Sequence, residues 1–79
     1  MWGDLTVEEH LILYARLKGV ASADRRGLVQ SIAEAIKLDG DPLRQAASQL
    51  SGGMRRRLSL GIALIADPQV YRYNPYLSL

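Results

Sequence analysis

Apolar side chains recur at helical spacing in three stretches of the chain, with polar and turn-forming residues between them. The first begins at Thr6-Val7-Glu8-Glu9. A Thr followed three residues later by Glu is a capping-box pattern, in which each side chain can bond the other's backbone N–H. Glu8 and Glu9 also suit the positive end of a helix dipole. Val7, Leu11, Tyr14 or Ala15 and the stem of Lys18 share a face, and Ile12, Leu13 and Leu17 widen it, so this helix expects neighbours on more than one side. It is predicted to run to about Lys18, with Gly19 as a left-handed terminating residue. A second helix is predicted from about Ala23 to Leu38, capped by Ser22. Its face is Leu28, Val29, Ile32, Ala35 and Ile36, with Asp24, Arg25, Arg26, Gln30, Glu34 and Lys37 mainly opposite. Arg25-Arg26 reads as solvated surface, and Gly27 weakens the first turn. Asp39-Gly40-Asp41-Pro42 is a strong turn signal, and Leu43 to Gln49 has room for one short helical turn.

The third stretch carries the chemistry. Leu50, Met54, Leu58 and Ile62 recur every four residues and Ile65 follows three later, one stripe of a helix that Ser51 is placed to cap. Gly52 and Gly53 fall in its first turn, where each costs about 1 kcal/mol against Ala. Close approach of a ligand or of another backbone is a reason to keep them. A helix start also carries unpaired N–H groups and a positive dipole end, which together favour an anion such as phosphate. Ser-Gly-Gly by itself is an ordinary loop composition, so its meaning depends on the residues around it.

Size narrows the possibilities. The chain has 79 residues, one small domain at most, and a chain this short buries only about 60% of its extended surface. It has no Cys, so no disulfide or thiolate metal site reinforces it. His10 is the sole histidine and reads as a partly exposed helix residue rather than a ligand. Residues 1–50 carry six basic and seven acidic groups, and residues 51–79 four basic and one acidic. No apolar run approaches the roughly 20 residues that span a bilayer, and Met1 does not lead into a signal peptide. There is no internal repeat and no low-complexity segment.

Leu50 to Pro68, LSGGMRRRLSLGIALIADP, resembles the signature segment of the ATP-binding cassette (ABC) ATPases. That pattern is LSGGQ, then basic residues, a helix rich in small and apolar residues, and a closing Asp-Pro. Met54 stands in the usual Gln place, which resembles the A subfamily, and Gly61 stands at a usual small-residue place. Trp2 to Val20, WGDLTVEEHLILYARLKGV, is similar to the segment after the Q-loop in that subfamily. The resemblance therefore covers Trp2 to Val70, about a third of a nucleotide-binding domain. It implies the α-helical subdomain of an α/β P-loop NTPase domain, all-α as it stands: a small helical bundle over residues 1–70. The three helices are expected to pack weakly, with spare apolar faces exposed.

Other parts that the family needs are missing from this stretch. There is no G-x-x-x-x-G-K-[ST] to cradle phosphates and no hydroxyl from it for magnesium. After Pro68 the family continues with an apolar strand ending in Asp-Glu, for magnesium and for orienting water. Here Asn74 takes the Asp place and Pro75 the Glu place; Arg72 and Pro75 also ill suit a buried strand. Tyr71 to Leu79 is accordingly expected to be a divergent, disordered tail.

The resemblance implies a role in trans. Two nucleotide-binding domains pair head to tail, and each signature closes over ATP and Mg2+ held by the other. Ser51 would donate its hydroxyl to the γ-phosphate, and Gly53 a backbone N–H with room for approach. Gly52 would share the tight turn, Met54 close the motif, and Arg55 to Arg57 add favourable field. A hydroxyl can cap its helix as acceptor and still donate. The implied partners are that second domain and a transmembrane domain, at the cytoplasmic face of a membrane, in ATP-driven and lipid-type transport. The chain alone is expected to bind no nucleotide and to be catalytically inactive. Two alternatives remain: a helical module pairing with an intact nucleotide-binding domain, and a small basic nucleic-acid binder using Arg55, Arg56 and Arg57. Against the latter, the other basic groups are balanced by acids and no aromatic residues interleave with them.

Overall fold

The computed structural model describes residues 3–66; the readings placed on Trp2 and on residues 67–79, Asn74, Pro75 and the divergent tail included, lie outside them. The chain forms three α-helices, α1 (Val7–Leu17), α2 (Ser22–Ala35) and α3 (Gly52–Ala66). Two 3-10 turns, Asp41–Arg44 and Ala47–Gln49, link α2 to α3 in place of the single helical turn expected over Leu43–Gln49. Among the described residues there is no strand, only an isolated antiparallel bridge between Thr6 and Ala46. The fold class is all-α, a small helical bundle, as expected. No described helix is long and apolar enough to cross a membrane.

Local chemistry sets where α1 begins. The Glu9 N–H donates to Thr6 Oγ1 at 3.1 Å, and the Thr6 N–H donates to Glu9 Oε1 at 2.9 Å, a complete capping box. Accepting the Thr6 backbone N–H, and bonding with its side chain, holds the Glu9 carboxyl below its ordinary value. The helix ends at Lys18, one residue beyond Leu17, through Gly19 at φ +79°. The Gly19 N–H donates to Arg16 O and the Val20 N–H to Ala15 O, the paired bonds of a Schellman stop.

Helix α2 ends in the same way with a less suitable residue. The Lys37 N–H donates to Glu34 O, the Leu38 N–H donates to Ala33 O, and Lys37 has φ +60°. The helix therefore stops at Ala35, three residues short of the expected Leu38, so that Leu38 can turn into the core, where it has no exposed surface. A lysine carries no sequence signal for this conformation. At the other end the N-cap is Ala21, with no side-chain cap bond, and Ser22 is the first helical residue. Arg25 also departs from expectation: it is half-buried, and its Nη2 donates to Val20 O at 3.3 Å.

The core draws on every element. Val7, Leu11 and Ala15 of α1 meet Val29, Ile32 and Ala33 of α2 and Leu58, Leu64 and Ile65 of α3, with Leu38, Leu43, Ala47 and Leu50 from the connections. The buried face of α3 centres on Gly61 rather than on Ile62, which is only half-buried. A Cβ at position 61 would lie 2.9 Å from Ile36 Cδ1, 3.2 Å from Ile32 Cγ2 and 3.3 Å from Leu11 Cδ2. The missing side chain is what lets α3 press against both other helices. The expected spare apolar faces are largely absent: among the described residues the exposed large hydrophobics are Leu17 and Leu60.

His10 corrects the sequence reading. It is completely buried, and its Nδ1 lies 2.9 Å from Thr6 O. The sequence reading left it partly exposed, although positions 7, 10, 11 and 14 share one helical face. In the fold, α1 packs against α2, α3 and the Asp41–Arg44 turn, so more of its girth is covered than its stripe alone demanded.

Two substitutions should change stability in opposite directions in thermal or denaturant unfolding. Lys37→Gly should stabilise by about 1 kcal/mol, the cost of holding an L side chain in the left-handed region. Gly61→Leu should destabilise by about 1–3 kcal/mol through overpacking. A stabilising Gly61→Leu would contradict a close helix crossing at this glycine. For acid the sign follows from Glu9. Its folded carboxyl titrates below the unfolded one, so its contribution is present above the ordinary glutamate range and is lost as pH falls through the lowered value. Helicity of α1 should therefore fall in that acid window, and Glu9→Gln should remove that part of the pH dependence; unchanged titration in the variant would refute it.

Candidate anion-binding turn

The segment before α3 is laced to the start of the chain. The Val7 N–H donates to Gln45 O, the Ala47 N–H to Leu5 O and the Ser48 N–H to Gly3 O, at 2.9–3.1 Å. Leu50 then runs extended (φ −76°, ψ 148°) with its side chain buried. These contacts leave Ser51 exposed at the head of α3.

Ser51 caps the helix as its sequence position suggested. Its Oγ accepts the Met54 N–H at 3.2 Å, and its carbonyl accepts the Arg55 N–H at 2.9 Å, the first bond of the helix. The N–H groups of Gly52 and Gly53, ahead of that bond, have no acceptor among the described residues. With the rotatable Ser51 O–H they converge on the positive end of the α3 dipole. A turn made of donors, with a serine hydroxyl, is suited chemically to an oxyanion.

The two glycines are not needed by the chain itself. Both are exposed, neither adopts a left-handed φ, and a Cβ on either would meet nothing within 4 Å. This contrasts with Gly61, whose reason is visible in its neighbours. Met54 is placed differently from the other three motif residues: it is half-buried and packs against the core, so its side chain anchors the first turn. Arg55, Arg56 and Arg57 are all exposed, and none forms an ion pair among the described residues. Their charge is free to act outward.

One feature of this end of the molecule was not legible in the sequence. Arg55 lines a shallow groove of about 300 Å³ with Gly3, Ala47 and Ser48. Gly3 and Ser48 meet there only because residues 3–7 pair with residues 45–48, a long-range contact with no local signal.

A helical unit whose last helix opens on an exposed Ser-Gly-Gly turn, between the buried Leu50 and the half-buried Met54 with three exposed arginines after it, fits the resemblance to the ABC class. Relatives agree on the class. ABC transporter A family member 10 of Arabidopsis thaliana is 42% identical over 74 residues, taking in 89% of this chain and 8% of that protein. ABC transporter A family member 1 of Dictyostelium discoideum is 37% identical over 70 residues, again 89% of this chain and 8% of the relative. Member 9 of Arabidopsis thaliana is 41% identical over 70 residues, 89% of this chain and 7% of the relative. The chain belongs to the ABC transporter A family, and spans less than a tenth of the length of these curated relatives. No family model matches it, and no solved structure matches it.

Because no neighbour occupies the space beside either glycine, Gly52→Ala and Gly53→Ala should each leave the chain folded and raise its stability by up to about 1 kcal/mol, the difference in helix propensity. Thermal unfolding of the two variants checks this. A loss of stability in either would mean that the chain's own packing requires glycine there.

Proposed function

We propose that this chain contributes the phosphate-contacting turn of an ABC-type ATP-binding unit, acting in trans on ATP and Mg2+ held by a second nucleotide-binding domain. Ser51 donates its hydroxyl to the terminal phosphate, Gly52 and Gly53 offer backbone N–H groups and room for approach, and Met54 closes the turn. Arg55 to Arg57 supply positive potential. Residues 1–70 act as the helical subdomain, inactive alone, beside a transmembrane domain at the cytoplasmic face of a membrane. The names of the relatives favour a transporter; lipid as cargo follows from the subfamily resemblance.

One observation carries the reading. Two glycines sit in the first turn of a helix they weaken, although a Cβ on either would meet nothing within 4 Å and neither adopts a left-handed φ. A requirement for glycine that does not come from inside the chain is met by a ligand approaching from outside. The groups left free beside them are donors, which suit phosphate oxygens.

The expected outcome in an equilibrium binding assay is no ATP binding by the chain alone, because no phosphate-cradling loop is present in it. Adding the chain to an intact ABC nucleotide-binding domain with MgATP should tighten nucleotide binding. Ser51→Ala, and separately Gly53→Val, should remove that gain while leaving the chain folded. ATP binding by the unaided chain, or a gain that survives both substitutions, would overturn the proposal.

A further inference from the structure

Three arginines lead directly to a serine. Arg55-Arg56-Arg57-Leu58-Ser59-Leu60 places cations four, three and two residues before a hydroxyl, and an apolar residue after it. No other Ser or Thr of the chain has a basic residue two or three places before it. Ser59 is exposed on α3, and its side chain has no hydrogen-bond partner among the described residues. The three arginines are exposed as well and form no ion pair there. Leu60 is 48% exposed and, with Leu17, is one of the large hydrophobics that the described fold leaves outside. The hydroxyl, the arginines and Leu60 thus take no part in holding the described fold together, whereas Leu58 between them has no exposed surface.

We propose that Ser59 is a phosphate-acceptor site for a protein kinase that selects basic substrates. Such a kinase chooses its substrate by charge pattern. Carboxylates of its cleft pair with arginines shortly before the acceptor, here Arg56 and Arg57, and an apolar pocket takes the next residue, here Leu60. Ser59 Oγ attacks the γ-phosphorus of the kinase's MgATP. The new O–P bond forms as the bond to the β,γ-bridging oxygen breaks, ADP leaves, and the serine proton passes to the kinase's catalytic carboxylate. The cleft takes an extended run, so Leu58 leaves the core during transfer and the site is reached through local opening of α3. The product changes the surface that follows the Ser-Gly-Gly turn. A phosphoserine adds about −1.5 to −2 charge. Residues three and four apart are neighbours on a helix, so this phosphate meets Arg56 and Arg55. Two of the three cations that face outward in the unmodified chain are then paired within it. That consequence rests on the phosphate-contacting role of the turn, whose positive field it lowers; the acceptor site itself does not.

Incubation of the full chain with MgATP and the catalytic subunit of cyclic-AMP-dependent protein kinase, a kinase of this class, tests the site, read by intact-mass and fragmentation mass spectrometry. One phosphate should be incorporated, on Ser59. Arg57→Ala should lower kcat/KM by about tenfold or more, the loss of a charge-assisted pair. Ser59→Ala should abolish incorporation and leave the chain folded. Ile32→Val lies in α2, outside the run that the kinase takes, and loosens the core; it should raise the rate several-fold through a larger open population. No incorporation, incorporation at another residue, or a rate indifferent to Arg57 overturns the acceptor site. A rate unchanged by Ile32→Val overturns the opening step. In the binding assay with an intact ABC nucleotide-binding domain and MgATP, the phosphorylated chain should give a several-fold smaller gain in nucleotide affinity than the unmodified one. A gain untouched by phosphorylation overturns the effect on the turn. If the unmodified chain gives no gain, the phosphate-contacting reading falls, and the mass measurement alone decides the acceptor site.

Discussion

At Gly61 the third helix has no side chain, and Ile36, Ile32 and Leu11 close in to within contact distance of where one would be. This crossing ties α3 to both other helices at a single point. Leu58 one turn before and Leu64 and Ile65 one turn after are buried as a consequence, since a helix drawn that close must bury the residues flanking the contact. The position of the Ser51 turn follows from the same constraint. It lies at the head of a helix whose axis is set by packing about two and a half turns further along.

The other support for the turn is long-range backbone pairing. Residues 45–48 come back to bond residues 3–7, and Leu50 is pinned in the core immediately before the exposed Ser51. An apolar anchor on one side and Met54 on the other hold a short polar loop between two buried points. Such an arrangement fixes donors in place without burying them, as the proposed role of the turn requires.

The three helix starts show what the chain gives up to do so. Helix α1 satisfies its cap fully through Thr6 and Glu9; α2 begins at Ala21 with no side-chain cap; α3 has a serine cap, two unsupported glycines and no return bond. The two first-turn glycines thus cost helix stability where the sequence most resembles the family signature. Local rules broken without a compensating contact inside the chain are expected at functional positions. The A-family relationship, which covers most of this chain and a small part of each relative, is consistent with a segment whose missing contacts lie elsewhere in a larger protein.

Much was legible in the sequence because it depends on residues within one turn of each other. The Thr6–Glu9 box, the Gly19 stop, the Ser51 cap and the three helical stretches all follow from local hydrogen bonding and spacing, and they fixed the all-α class. Ser51, Gly52 and Gly53 were singled out by their resemblance to the family signature, since Ser-Gly-Gly by itself is an ordinary loop composition. Tertiary structure decided the rest. His10 is buried because three elements close around α1, and Lys37 takes a left-handed conformation because Leu38 must reach the core. The α3 stripe shifts to Gly61 because two other helices converge there, and Met54 belongs to the core as well as to the turn. Each of these is settled by packing between residues distant in the chain, and a pattern read along one helix carries no information about which neighbours will arrive.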